Sequence, residues 1–334
     1  MAEHTQTEVL IVGAGMAGLM AATALAGQGR RVTVVERAHY AGGRLATRSV
    51  GPGRADSGAQ FFTVRTPVFR KWVNCWMDEG LVFQWSLGWS DGSLGSTPPD
   101  GHPRYAVHQG MSALAGHLTR GLDVRLNTHI VSVAPQGTRW EAQDQKSRTY
   151  TADVLMLTAP IPLSLALLAT ESVPLDDTDR AALERLDYAP CLCGLFWLTD
   201  GTLLPEPGAV QRPNAAITWV ADNKRKGISP EATLITIHAG PDYSQQLWKL
   251  PDWEALVALE SGLLLYKDRL TGIVERQLER WRYSMPTVLH KDPMLRAKGL
   301  PPLIFAGDAF GTPRVEGAAL SGLAAAEALV VKAG

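Results

Sequence analysis

The chain has 334 residues, 46% of them hydrophobic and 19% charged, which excludes disorder and provides more chain than a single core usually holds. A formal net charge of −1, with no Lys/Arg cluster interleaved with aromatic residues, excludes a nucleic-acid-binding face. The three cysteines are Cys75, Cys191 and Cys193, and Cys191-Leu192-Cys193 lacks the spacer and second pair of a zinc site. No metal is expected, and Cys191 and Cys193 are read as core residues on one face of a strand.

In chain order, Val9-Leu10-Ile11-Val12 is an unbroken aliphatic run, suited to a strand buried on both faces of a parallel sheet. Gly13-Ala14-Gly15-Met16-Ala17-Gly18 follows, and a helix is predicted over 16–27. Gly13 permits a tight turn, Gly15 lets a pyrophosphate approach the backbone, and Gly18 lets the helix pack on the strand. The N–H groups opening that helix, at Met16 and Ala17, would face the phosphates. A second strand over 31–35 ends at Glu36, whose carboxylate is placed to accept ribose hydroxyl hydrogen bonds. A ligand-free Gly-rich turn is the bland alternative, but strand, glycines, helix, strand and acid in register favour a dinucleotide. Arg37 and Gly42-Gly43-Arg44 come next: two glycines allow close approach and a guanidinium suits phosphate, although a flexible loop with a solvated cation would read the same. The apolar stretch from Val9 to Ala26 lacks the basic lead of a secretion signal, and no other run of membrane-spanning length occurs, so a cytoplasmic, non-membrane protein is expected.

Further along, 67–80 reads as a helix whose stripe of Phe69, Trp72, Val73 and Trp76 is expected in a core. A helix ending at Leu118 precedes 124–133, which alternates as a single strand. Trp140, Tyr150 and Val154-Leu155-Met156-Leu157 read as a small meander and a buried strand. Short strands and helices fill 162–285. Leu303-Ile304-Phe305 then leads into Gly307-Asp308, and a helix from Arg314 to Val330 opens on Glu316-Gly317-Ala318. Its N-terminal amides could stabilise negative charge on a ligand, and the Asp308 carboxylate could accept from a ligand hydroxyl. A dinucleotide motif at one end of the chain and Gly-Asp near the other together point to FAD.

With Gly42-Gly43-Arg44, the chain resembles the flavin amine oxidase superfamily, in which this segment wraps the FAD pyrophosphate. The resemblance implies an α/β fold: a Rossmann-type FAD-binding domain with an inserted mixed α+β substrate domain. The boundaries expected are 1–65, 105–160 and 286–334 for FAD and 66–104 and 161–285 for substrate. It also implies that the segment Asp56–Thr63 passes the flavin with Gln60 facing the ring, and that backbone near Val131 contacts adenine. No Ser-Gly-Gly-Cys-Tyr segment is present and Ala309-Phe310 offers no thiol, so FAD is expected to be non-covalent. No lysine can be placed by motif beside the flavin, and no aromatic cage has a secure register.

Three segments, Trp219–Gly227, Thr236–Gly240 and Arg280–Ser284, resemble the renalase branch of that superfamily. This implies oxidation of the 2- and 6-dihydro isomers of NAD(P) to NAD(P)⁺, by hydride transfer to flavin N5 and reduction of O₂ to H₂O₂. Trp219, Trp281 and Tyr283 are then candidate walls for the substrate ring, and Asn223, His238 and Gln60 candidate polar anchors. Each has a structural alternative: His238 as a satisfied strand residue, Asn223 as the cap of a turn, Trp281 and Tyr283 as packing. The run Lys224-Arg225-Lys226 reads as a solvated loop or an attractor for the substrate pyrophosphate. Competing functions are an amine oxidase, a desaturase on an apolar substrate, and a flavin-binding protein without turnover.

Overall fold

A computed structural model describes residues 4–91, 100–264, 266 and 272–329. The first half of the chain runs β1 (His4–Val12), α1 (Met16–Gly27), β2 (Val32–Val35), β3 (Thr47–Val50), β4 (Gly53–Asp56), α2 (Pro67–Asp78), β5 (Val82–Ser86), β6 (Arg104–Val107), α3 (Met111–Leu118), β7 (Asp123–Arg125), β8 (Ile130–Gln136), β9 (Arg139–Asp144) and β10 (Thr149–Leu157). The second half runs α4 (Ile161–Ala169), α5 (Asp177–Glu184), β11 (Tyr188–Leu198), β12 (Ala209–Gln211), β13 (Ile217–Asp222), β14 (Thr233–Ala239), α6 (Pro241–Leu247), α7 (Asp252–Glu260), β15 (Ile273–Pro286), β16 (Leu295–Arg296), β17 (Leu303–Phe305) and α8 (Arg314–Glu327). The predicted helix end at Val330 lies outside the described residues.

Two compact units form, one from Met1–Gly43, Ala115–Asp187 and Pro286–Gly334, the other from Arg44–Leu114 and Tyr188–Met285. Residues 44–65 and 105–114, expected with the FAD-binding half, cluster with the second unit, and 161–187 with the first.

The first unit is built on the sheet β16-β17-β10-β1-β2-β7, whose inner pairs are parallel. Val9, Leu10 and Ile11 are fully buried, as expected of an aliphatic run covered on both faces. The alternating stretch 124–133 is not one strand. β7 pairs with β2, the chain turns at Asn127 with φ +50°, and β8 pairs with β9 instead. Alternation reports which face a residue takes but not which partner its strand pairs with, and Asn tolerates the left-handed turn.

Helix α1 is apolar nearly all round because α8 packs on it. A Cβ on Gly322 of α8 would lie 2.1 Å from the Ala17 carbonyl oxygen. Gly322→Val is therefore expected to push the two helices apart and destabilise the protein by about 1–3 kcal/mol, read as a lower urea midpoint.

The second unit holds the antiparallel sheet β12-β13-β14-β11-β15. Period-2 alternation on β14 divides its side chains. Ile235 and Ile237 join Phe196, Leu256 and Leu259 in one core, while Leu234 packs with Val50, Ala55, Cys193 and Leu195 on the other face. Thr236 and His238 share that second face and meet the chain that follows β4. Both Cys191 and Cys193 are buried on β11. On α2, Thr66 Oγ1 accepts from the Phe69 N–H at 3.3 Å and Pro67 begins the helix, which buries Phe69, Val73 and Trp76.

Candidate active site

In the first unit the three motif glycines differ in what they accommodate. A Cβ on Gly13 would lie 2.6 Å from Thr158 Oγ1, and one on Gly18 would lie 2.0 Å from the Gly13 carbonyl oxygen, so both are demanded by packing. Gly15 is not: a Cβ there meets nothing within 4 Å. It stands at the start of α1, where no side chain caps the helix. Open space in front of uncapped helical N–H groups suits a pyrophosphate.

Gly42 lies beside this cradle, its N–H donating to the Ala14 carbonyl at 2.7 Å, and Gly43 has φ +53°. Glu36 accepts from the Ala14 N–H at 3.0 Å through one oxygen and from the Ala38 N–H at 2.9 Å through the other. Each oxygen keeps a lone pair free for a ribose hydroxyl. The Gly307 N–H is held by Ser321 Oγ at 2.8 Å, and Asp308 and Glu316 are both buried. At Gly317 a Cβ would lie 1.7 Å from the Thr312 carbonyl oxygen, so packing at the start of α8 requires this glycine. Met16 and Ala17 are buried, Ala318 is half-buried, and Arg37 and Val131 are exposed. Arg44 belongs to the second unit, where a guanidinium N–H donates to the Ser284 carbonyl at 3.0 Å. The cradle around Gly15 and Glu36 fits the diphosphate and ribose of FAD.

The second unit gathers most of the other expected residues around the turn from Asp56 to Gln60. The Ser57 carbonyl accepts from Trp281 Nε1 at 2.9 Å and from His238 Nε2, 3.2 Å away. Gln60 Nε2 donates to the Asp56 carbonyl at 2.7 Å and the Gly58 carbonyl at 3.0 Å, and Gln60 Oε1 accepts from Trp219 Nε1 at 3.2 Å. Asn223 is fully buried and fully occupied, donating to the Leu234 carbonyl at 3.0 Å and Thr236 Oγ1 at 2.9 Å while accepting from the Asp56 N–H at 3.3 Å. Tyr283 is placed differently, edge-on to Tyr188 with ring centroids 5.7 Å apart.

Trp219 owes its place beside His238 to a β-bulge. The register of β13 on β14 runs Ile217↔Ala239 and then Trp219↔His238, so Thr218 is the extra residue. Regular pairing would set Thr218 opposite His238 and turn Trp219 to the other face.

The expectation that Lys224-Arg225-Lys226 is solvated holds for Lys224 but fails for Lys226, which is 1% exposed. Asp222 Oδ1 accepts from the Lys224 and Arg225 N–H groups, forming an Asx-type turn that sends Lys226 inward. Lys226 Nζ there pairs with Asp56 Oδ2 at 2.6 Å, also donates to the Gln60 carbonyl, and lies 4.7 Å from the Trp85 ring centroid. Arg225 is engaged by Glu206 and the Leu204 carbonyl. Asp56 Oδ1 accepts from Thr47 Oγ1 at 2.6 Å and the Met111 N–H at 2.8 Å.

Sequence reasoning missed this ion pair, and it missed the aromatic group of Phe61, Trp85, Trp89 and Trp219, whose centroids pack 4.7–6.0 Å apart. The one sequence signal for the buried lysine was the turn chemistry of Asp222, Asn223 and Gly227 around the charged run.

Burial pushes the His238 imidazole down to about 4; the Ser57 carbonyl opposes the shift and the Lys226 ammonium adds to it. His238 is therefore neutral at physiological pH; the Ser57 carbonyl at 3.2 Å calls for the proton on Nε2, while the Gln60 amide nitrogen, 3.5 Å from the same atom, is the more distant contact. Burial likewise lowers the proton affinity of Lys226, against the pull of Asp56. Among the described residues no helix is long and apolar enough to cross a membrane, and no cluster of three or more His, Cys, Asp or Glu could hold a metal ion.

A parallel-sheet dinucleotide cradle lies in one unit and an antiparallel, aromatic-rich sheet in the other. The model of a NAD(P)-binding Rossmann-like domain matches residues 11–76, and that of flavin containing amine oxidoreductases matches residues 91–330. The chain belongs to the flavin containing amine oxidoreductase family. Its fold matches a redesigned putrescine oxidase at TM-score 0.75 and 15% identity, over 99% of this chain and 100% of that one. It also matches cyclohexylamine oxidase from Brevibacterium oxydans at TM-score 0.75 and 13% identity, over 98% of this chain and 99% of that one.

Among curated proteins, a phytoene dehydrogenase of Streptomyces griseus is 52% identical over 56 residues, 17% of this chain and 11% of the relative. A metal reductase of Desulforamulus reducens is 25% identical over 239 residues, 69% of this chain and 33% of that protein. The chain thus matches one third or less of the length of these relatives.

Proposed function

We propose that this protein is an FAD-dependent oxidase of renalase type, oxidising the 2- and 6-dihydro isomers of NAD(P) to NAD(P)⁺ with O₂ as acceptor. The observation that carries this reading is the charge on the aromatic group. The cation lying on Trp85 is the protein's own Lys226, and the adjacent carboxylate, Asp56, already serves Lys226, Thr47 and Met111. A protonated amine would meet a fixed ammonium there and gain no carboxylate, whereas an uncharged dihydropyridine can lie against flat indole faces. FAD, when bound, supplies the hydride acceptor and passes the electrons on to oxygen.

The roles of the protein's own groups follow from their hydrogen bonds. Trp219 and Trp281 form walls, each fixed by its indole N–H. His238, neutral and with Nε2–H committed to Ser57, offers Nδ1 to a donor such as a carboxamide N–H. Gln60 and Asn223, with their amides committed to the protein, hold the turn that supports these groups. Tyr283 is a packing partner of Tyr188.

The test is product analysis with 6-dihydro-NAD, ordinary 4-dihydro-NADH and a panel of amines. NAD⁺ formed from the 6-dihydro isomer, with about one H₂O₂ per turnover, supports the proposal. An aldehyde formed from an amine would replace it with amine oxidation. His238→Ala is expected to keep FAD and slow flavin reduction roughly tenfold, the worth of about one hydrogen bond of 1.4 kcal/mol. An unchanged rate would make His238 a packing residue.

A further inference from the structure

A lysine that is 1% exposed calls for an explanation, because burying an ammonium costs free energy even when it is paired. Lys226 joins the two ends of one turn: its Nζ holds the Asp56 carboxylate at 2.6 Å and, four residues on, the Gln60 carbonyl. Three carbonyls of that turn are occupied. Asp56 O takes Gln60 Nε2 and Thr236 Oγ1, Ser57 O takes Trp281 Nε1 and His238 Nε2, and Gly58 O takes Gln60 Nε2. The partner that fixes the His238 ring is thus a carbonyl in the middle of a turn clamped by Lys226. The other ring nitrogen, Nδ1, has no hydrogen-bond partner among the described residues.

We propose that Lys226 is a positioning residue that acts through His238. By clamping Asp56 to Gln60 it sets Ser57 O against Nε2, holds the imidazole as the uncharged Nε2–H form, and leaves Nδ1 as the acceptor for a neutral N–H donor on the substrate. The ammonium contributes a second, electrostatic part, since a fixed positive charge opposes protonation of the ring. Asp56, which precedes Ser57 in the chain, is held by Lys226, and Cys193, paired with His238 across β11 and β14, has its thiol pushed well up by burial and so stays uncharged. The identity of the donor as a carboxamide rests on the dihydronicotinamide reading above; the imidazole state does not.

The experiment uses FAD-loaded protein carrying ¹⁵N-histidine, with the His238 signals assigned by their loss in His238→Gln. In the native protein His238 is expected as the Nε2–H tautomer, uncharged from about pH 5.5 to about pH 8. In Asp56→Asn/Lys226→Met, a neutral pair of similar shape, His238 should show mixed tautomers and titrate at higher pH, and the acid limb of flavin reduction by 6-dihydro-NAD should move upward with it. Lys226→Arg, which keeps the charge, should restore the native titration.

Identical tautomer and titration in the native protein and the double variant would overturn the proposal. So would an Nδ1–H tautomer in the native protein, a result that requires no variant to fold. If the imidazole results hold but 6-dihydro-NAD reduces none of these proteins, the role of Lys226 stands and the substrate reading falls.

Discussion

Gly15→Val yields a folded protein that no longer holds FAD. The two halves of that expectation come from one observation: beyond its chain neighbours, a Cβ at Gly15 meets nothing within 4 Å, so a side chain there has open space in the ligand-free chain. The space it fills lies in front of the α1 N-terminus, where a phosphate would accept backbone hydrogen bonds worth about 1.5–3 kcal/mol each. Losing two of them weakens FAD binding by roughly three orders of magnitude. The purified variant should be colourless, with an apoprotein urea midpoint equal to that of the native apoprotein. A yellow variant would remove Gly15 from the cofactor site, and an unfolded one would show that the open space is needed by the protein itself.

Lys226→Met should be among the most damaging single changes outside the hydrophobic core. It leaves the Asp56 carboxylate buried with its hydrogen bonds from Thr47 and Met111 but without its counter-charge. Removing one partner of a buried pair costs about 3–5 kcal/mol, much of it the penalty of the charge left behind. Asp56→Asn/Lys226→Met removes both charges and should recover most of that loss. Denaturant unfolding of the three proteins checks this: equal destabilisation of single and double variants would mean that the loss comes from the Nζ hydrogen bond to the Gln60 carbonyl and not from the charge left on Asp56.

The legibility of the chain divides by physical cause. Gly13, Gly15 and Gly18 follow an aliphatic run and precede an acid, and local rules suffice to read them, because turn, helix start and ribose contact all lie within about thirty residues of one βαβ unit. The same holds for α2, whose Thr66 cap, Pro67 start and apolar stripe are local signals. Alternation at 124–133 misled because it carries no information about partners. The second unit was harder to read because its site depends on pairing register. The Thr218 bulge decides that Trp219, and not its neighbour, sits beside His238, and no periodicity reports a bulge. Lys226 was hidden for a related reason: three cations in a row read as surface until the Asx turn at Asp222 is seen to send the third one inward.

In the function proposed here, an uncharged dihydronicotinamide ring, and not an amine, delivers the hydride. Anaerobic stopped-flow mixing of the FAD-loaded protein with 6-dihydro-NAD, 4-dihydro-NADH and the amines tests it most directly, because flavin bleaching is read before oxygen or product release can intervene. Fast bleaching by the 6-dihydro isomer and none by the amines is expected. Bleaching by an amine, with none by the dihydronicotinamide isomers, would contradict it.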